Sequence, residues 1–218
     1  MGRVSNDNID QVLRTVRRLI RRWQVPVVTQ YRHDPFTTLI SCLLSLRTKD
    51  AVTRAASERL FELARSPQQL VALSARQIER AIYPVAFYRT KAKTLRQVCQ
   101  VLIDRYDGQV PDDLDELLTL RGVGRKTANL VITLAFHQDG ICVDTHVHRI
   151  SNRWGYVRTK TPEQTEMALR QRLPRRHWQT YNDLLVTLGQ NLCHPTSPWC
   201  SRCPLTTQCP KLGVRHSR

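Results

Sequence analysis

Apolar residues recur at helical spacing along almost the whole chain. In FTTLISCLLSL, residues Phe36, Leu39, Ile40, Leu43 and Leu44 fall at i, i+3, i+4, i+7 and i+8, the stripe that one face of an α-helix turns toward a core. Leu95, Val98, Cys99, Leu102, Ile103 and Tyr106 repeat it. VTRAASERLFELA reads as another amphipathic helix, stopped at Ser66-Pro67. Ser74 and Gln77 stand in capping-box positions. Asp112 is placed to cap DDLDELLTL, and Thr161-Pro162 puts proline in the first turn of TPEQTEMALRQRL. No segment alternates as a strand does beside a hairpin turn. The pattern predicts an all-α protein of about ten short helices.

Punctuation sharpens the picture in LRGVGRKTANLVITLAF, residues 120–136. One helix, over 112–120, stops at RGVGR. A second starts near Lys126, with Leu130, Val131, Leu134 and Ala135 on one face. Gly122 and Gly124 permit positive φ and close approach in the turn between them. They also leave a helix N-terminus uncovered, which suits an anion. A dinucleotide site needs a preceding strand and a G-x-G-x-x-G spacing, and neither is present. A Walker loop needs four residues between its glycines, where this chain has one. What remains is a helix–hairpin–helix over 112–136 that meets a nucleic-acid backbone phosphate through Gly122, Val123, Gly124 and Arg125.

Charge supports that partner. The 218 residues hold 34 Lys+Arg against 18 Asp+Glu, a formal charge of +16 and a pI near 10.3. The excess runs through the whole sequence, and a folded protein this basic is expected to meet a polyanion. Apolar runs such as LVITLAF are too short to span a bilayer. The N-terminal stretch has no apolar core of a signal peptide and no Ser or Thr at its sixth position for myristoylation. The expectation is a cytoplasmic, nucleoid-associated, prokaryotic protein with no membrane partner.

Seven cysteines divide into two groups. Cys42, Cys99 and Cys142 stand alone in apolar segments, as small buried hydrophobes do. Cys193, Cys200, Cys203 and Cys209 form a Cys-x6-Cys-x2-Cys-x5-Cys box. Four thiolates so close can hold Zn2+ or a cubic iron–sulfur cluster. Structural zinc sites more often pair two Cys-x2-Cys knuckles, and with one tight pair the spacing favours iron–sulfur. An electron carrier remains open as a reading, although such carriers tend to be small and acidic.

Together these features resemble the endonuclease III family of DNA glycosylases and AP lyases, in the helix–hairpin–helix superfamily. LRGVGRKTAN (120–129), VDTHVHRISNRWG (143–155) and the cysteine box carry the resemblance; LLSLRTKD (43–50) and FYRTKA (87–92) match more loosely. The resemblance implies a two-domain glycosylase fold. A six-helix domain spans 28–138. A discontinuous helical domain joins 1–27 to 139–218 and holds a [4Fe-4S] cluster on the four cysteines of loop 193–209. It further implies a monomer acting on double-stranded DNA that carries a damaged base or an abasic site.

The family's catalytic pair falls on Lys126 and Asp144. A base within a duplex is out of reach, so the nucleotide must rotate into a pocket. A neutral Lys126 amine can then attack the sugar and form a Schiff base. Helix polarity, Arg125 and partial burial are expected to lower its pKa. Asp144 would take a proton or stabilise charge on the sugar. The plainer alternatives are a phosphate contact for Lys126 and a helix N-cap for Asp144. Adenine-mismatch relatives carry Ser and thymine-mismatch relatives Tyr where this chain has Lys126. The implied activity is therefore removal of oxidised or ring-saturated pyrimidines with β-elimination at the abasic site. A mismatch glycosylase and a non-catalytic DNA-binding module stand as alternatives.

Several positions depart from the family pattern. Arg47 replaces a common Gln and is expected to reach the orphaned base, with guanine preferred. Asp50 is retained. Val85 is the expected wedge into the duplex and Phe87 a core residue, with Ala86 in place of a glycine between them. Arg149 and Arg153, at i and i+4, are expected phosphate contacts. The loop HPTSPW carries only His194, for which Arg202 compensates in part. Trp154, Trp178 and Trp199 are expected in the core or over the cluster.

Overall fold

The computed structural model describes residues 2–24 and 26–218. Met1 and Val25, which the expected domain ranges include, lie outside the described residues. Among the described residues every regular element is helical. In chain order these are α1 (Ile9–Ile20), α2 (Pro35–Ser45), α3 (Asp50–Leu63), α4 (Pro67–Ala72), α5 (Ala75–Ile82), α6 (Tyr88–Tyr106), α7 (Leu114–Thr119), α8 (Arg125–Ala135), α9 (Thr145–Arg153), α10 (Pro162–Arg172) and α11 (Trp178–Asn191). Short 3-10 turns cover Val27–Tyr31, Arg175–His177 and Cys200–Arg202. The chain divides into a hairpin unit, Val27–Gly140, and a cysteine unit that joins Met1–Pro26 to Ile141–Arg218.

Local capping explains where most helices of the hairpin unit begin. Ser74 and Gln77 form a reciprocal capping box at α5. Ser66 accepts from Gln69 N with Pro67 in the first turn, so Ser66-Pro67 both ends the α3 segment and starts α4. The expected cap at Asp112 is displaced by one residue. Asp113 accepts from the backbone N–H groups of Asp115 and Glu116 at 2.8 and 3.0 Å, while Asp112 receives Gln138 Nε2. A capping carboxylate must sit two or three residues before its donors, and α7 begins only at Leu114.

Helix α8 differs from its expected one-faced stripe, because every residue from Thr127 to Ala135 is buried. It packs against α2, α7 and the Val27–Tyr31 turn. Two of its buried polar residues bond to its own backbone: Asn129 Nδ2 donates to Arg125 O at 3.0 Å and Thr133 Oγ1 to Asn129 O at 2.8 Å. The hairpin therefore leads into a helix that is held from several sides.

In the cysteine unit, α1 buries Ile9, Val12, Leu13, Val16 and Leu19 and packs on α11, which also supports α9. Tyr156 and Tyr181 are fully buried in that core, and Tyr181 pairs with Ser151 at 3.0 Å. Trp154 and Trp178 belong to the same core, and Trp199 packs against it.

Candidate active site and cysteine loop

The hairpin turn is built from two unlike glycines. Gly122 takes φ +80°, a conformation that a side chain would strain. Gly124 has φ −102° and serves as the N-cap of α8 with no side chain to cover the helix end. A Cβ there would meet nothing within 4 Å, so the room above Gly124 is open to a ligand. Positive φ is thus needed at one glycine only, and the other supplies access. Val123 is buried and its N–H is used within the turn, donating to Leu120 O. Helices α2, α4, α5, α7, α9 and α10 start under a side-chain cap, whereas α8 starts under a glycine that can offer none.

Lys126 stands in the first turn of α8 and is exposed, so the partial burial expected for it is not provided by the protein. Its charge is felt at Asp50, whose carboxylate accepts from Val27 N at 3.0 Å. Burial pushes the Asp50 pKa up, against the pull of that hydrogen bond, Arg54 and Lys126. Asp50 is the first residue of α3 rather than its cap, which is Lys49. Its carboxylate thus ties the Val27 turn to α3 within the electrostatic reach of Lys126.

Two neighbouring loops carry side chains outward. Arg47 is exposed at φ +55° and its guanidinium lies 5.9 Å from the ring centroid of Phe87. The burial expected of this pair is reversed: Val85 is 1% exposed and belongs to the core, whereas Phe87 is 63% exposed. Phe87 occupies the left-handed region at φ +58°, as the N-cap of α6, and that turn throws its ring outward. The sequence could not reveal this, since a bulky residue there is a genuine conformational outlier. Sequence reasoning also missed Lys91. Its Nζ donates to Leu44 O and Leu46 O, both at 2.7 Å, and to Thr48 Oγ1 at 3.3 Å. Thr48 Oγ1 in turn accepts from Ala86 N. Lys91 thereby closes the end of α2 and fixes the loop that bears Arg47, while burial draws its pKa down to about 8.

In the cysteine unit, Asp144 is the N-cap of α9. Its Oδ1 accepts from His146 N at 2.8 Å and Val147 N at 2.9 Å. The capping role is real, and because both bonds end on one oxygen it leaves Oδ2 outside the cap. Helix α9 is seated on α11 at Gly189, where a Cβ would fall 2.3 Å from His146 Nδ1. The same His146 nitrogen lies 3.0 Å from Arg149 Nη2. The glycine is thus what lets α9 approach.

Arg149 and Arg153, expected at phosphates, turn onto the cysteine loop. The Arg153 guanidinium is buried and forks onto the cysteine loop, with Nη1 to His194 O and Nη2 to Pro195 O, each at 2.6 Å. Arg149 Nη2 donates to Cys193 O at 2.8 Å. Their i, i+4 stripe faces the loop after α11 rather than solvent. Trp199 lies between Arg202 and Arg218, whose guanidinium carbons are 4.3 and 4.1 Å from its ring centroid. Arg202 therefore stacks on the loop it was expected to supplement.

The four cysteines line one cavity, with Trp154, Leu188 and Trp199 around it. Arg153 touches both ends of the box, since Nη1 lies 3.3 Å from Cys193 Sγ and its carbonyl accepts from Cys209 Sγ at 3.7 Å. Burial pushes the Cys203 thiol up to about 11, and the other three cysteines push it the same way. Four thiolates in this space need a positive core among them. Cys42, Cys99 and Cys142 are buried elsewhere, and burial pushes Cys42 and Cys99 up to about 12.

Residues 40–175 match the family of HhH-GPD superfamily base excision DNA repair proteins. Endonuclease III of Thermotoga maritima is 46% identical over 176 residues, covering 81% of this chain and 83% of that protein. The chain belongs to the endonuclease III family of the HhH-GPD superfamily. It is a base-excision-repair DNA glycosylase and AP lyase. Against the chloroplastic endonuclease III homolog 2 of Arabidopsis thaliana the identity is 44% over 184 residues, and the chain spans about half of that protein's length, 48%. Two solved endonuclease III–DNA structures, one non-covalent and one a trapped covalent intermediate, superpose with TM-scores of 0.85 and 0.84 at 34% identity. Each covers 95% of this chain, and this chain covers 96% and 97% of theirs. The fold is the endonuclease III fold.

Proposed function

We propose that this endonuclease III family member removes oxidised or ring-saturated pyrimidines from duplex DNA, with Lys126 as nucleophile and Asp144 as its proton partner. The observation that carries the reading is a lysine, rather than serine or tyrosine, in the first turn of a helix whose glycine cap is bare. Gly122, Gly124 and Arg125 would receive the backbone phosphate, with the nucleotide rotated out of the stack. The neutral Lys126 amine attacks the anomeric carbon, and the glycosidic electron pair leaves with the base. The amine proton passes to the Asp144 carboxylate, whose Oδ2 the cap does not use. Opening of the sugar ring gives an imine. Loss of a C2′ proton then expels the 3′ phosphate, and water hydrolyses the imine to return Lys126. Because Lys126 is exposed, the drying that favours its neutral form would come from the bound DNA.

The four cysteines fit a [4Fe-4S] cluster better than one zinc ion. They surround a shared cavity, and their single tight Cys-x2-Cys pair departs from the two knuckles usual for structural zinc. A bound cluster would cross-link the loop 193–209, and none of the chemical steps above passes through it. Arg47 is proposed to read the orphaned base, with guanine preferred. The two compact units would correspond to the two domains of the family. A monomer working in the cytoplasm on chromosomal DNA fits this reading; no helix among the described residues is long and apolar enough to cross a membrane.

Borohydride trapping on abasic duplex DNA tests the proposal. A covalent adduct is expected with the native chain and its loss in Lys126→Ala. DNA binding without any adduct would instead make the protein a non-catalytic module. A panel of oxidised-pyrimidine and mismatch duplexes decides the substrate, and excision confined to mismatches would overturn the lesion class.

A further inference from the structure

Positive charge is unevenly divided between the two units. The cysteine unit holds 18 Lys and Arg against 6 Asp and Glu, a net +12, whereas the hairpin unit holds 16 against 12, a net +4. Many cations of the cysteine unit are engaged: Arg149 and Arg153 with the cysteine loop, Arg172 with the Tyr156 ring, and Arg176 with Asp10. Helix α1 is different. Arg14, Arg17, Arg18, Arg21 and Arg22, on the helix and its last turn, are all exposed. None has an acidic side chain at ion-pair distance among the described residues. Arg22 donates to Leu19 O and lies over Trp23.

These five positions fall at i, i+3, i+4, i+7 and i+8, a single stripe opposite the buried Ile9, Val12, Leu13, Val16 and Leu19. From Arg14 to Arg22 the stripe runs about 12 Å, enough to face roughly three or four phosphates of one strand. Folding does not call for it. Three i, i+4 pairs set like charges side by side, which destabilises a helix on its own. The helix dipole favours cations in the last turn only, and Arg14 lies before it. A polyanion laid along the stripe removes that repulsion. The apolar face of α1 is spent on the core, so α1 cannot insert it into a lipid surface.

We propose that the arginine stripe of α1 is a second DNA-contacting surface, which takes the phosphate backbone of undamaged duplex whatever its sequence. A repair glycosylase must search a great excess of undamaged DNA, and salt-sensitive backbone contacts are what let a protein slide along it. The stripe supplies such contacts apart from the hairpin that meets the lesion strand.

The test measures affinity of the full chain for an undamaged duplex against salt concentration. Three proteins are compared: the native chain, a variant with all five arginines changed to Gln, and one with all five changed to Lys. Each arginine on a phosphate contributes about 0.9 to the slope of log K against log salt. The Gln variant is expected to lose about 2 or more from the slope and about tenfold or more in affinity at low salt. The Lys variant is expected to retain the slope, since neutralisation needs charge rather than the guanidinium shape. Circular dichroism checks the fold, and if the fivefold Gln variant is unfolded, Arg14→Gln and Arg18→Gln singly are each expected to remove about 0.9. An unchanged slope in the folded Gln variant overturns the proposal, as does equal loss in the Lys variant. Undamaged duplex offers no abasic carbon, so these outcomes are independent of whether Lys126 forms an adduct.

Discussion

The guanidinium of Arg153 donates to Cys193 Sγ across 3.3 Å while the carbonyl of the same residue accepts from Cys209 Sγ. One residue of α9 thus holds the first and last cysteines of the box, and its fork also satisfies the carbonyls of His194 and Pro195. Arg153→Met is expected to strand these partners and to cost about 3 kcal/mol, since hydrogen bonds to a charged group are worth more than neutral ones. In metal-free protein the four box cysteines should then react faster with a maleimide, while Cys42, Cys99 and Cys142 stay protected. Arg153→Lys is expected to restore little, because an ammonium cannot fork onto two adjacent carbonyls.

Gly189 decides how closely α9 lies on α11. Glycine inside a helix ordinarily costs about 1 kcal/mol relative to alanine, so Gly189→Ala would stabilise an open position. At this one the new methyl meets the His146 ring. Gly189→Ala is expected to destabilise by about 1–3 kcal/mol, the usual cost of overpacking. Adding His146→Ala should recover much of that loss in urea unfolding. A destabilisation that persists in the double variant would place the conflict elsewhere.

Lys91 tests the loop that carries Arg47. Lys91→Met keeps the aliphatic stem but leaves Leu44 O and Leu46 O without their donor. A cost of about 2 kcal/mol is expected, the penalty of a buried polar group losing its partner. If Arg47 reads the orphaned base through that loop, the same variant also loses preference among opposing bases, with lyase activity on abasic DNA less affected.

Helix existence and the caps at Ser66, Ser74 and Thr161 were legible in the sequence because they depend on residues within a few positions of each other. The hairpin, the gathering of the four box cysteines and the family were legible through motif spacing. What could not be read depends on distant contacts or unusual backbone. Arg149 and Arg153 looked like an outward basic face until the loop after α11 folded over them. Val85 and Phe87 exchanged core for surface because a left-handed residue at 87 inverts which side chain points out. Lys91 carried no local signal, since its three acceptors lie more than 40 positions away.

Asp10 gives a pH-dependent prediction. Hydrogen bonds from Arg176 and then His177 hold its carboxyl down to about 2, against an ordinary 3.8. A depressed pKa means the folded state prefers the ionised form. The stabilisation is therefore complete above the unfolded value and is lost as pH falls from 3.8 through 2. Asp10→Asn should lower the urea midpoint at neutral pH, and the gap between native and variant should narrow and close over that acid window. A gap that stays constant down to pH 2 would show that the Asp10 charge is not involved.

Phe87 exposes its ring to solvent, and its backbone offers a way to separate a wedge role from stability. Its φ of +58° costs an ordinary residue about 1–2 kcal/mol, a penalty that glycine escapes. Phe87→Gly is therefore expected to melt higher than Phe87→Ala. If the ring fills the gap left by a rotated nucleotide, both variants lose it equally. Unstacking a base step costs a few kcal/mol, so each should excise a paired lesion about tenfold or more slowly in single turnover. Cleavage of an abasic site in single-stranded DNA, where no stack needs opening, should change far less. Equal slowing on both substrates would move Phe87 from wedge to support of the Arg47 loop, whose guanidinium it already faces.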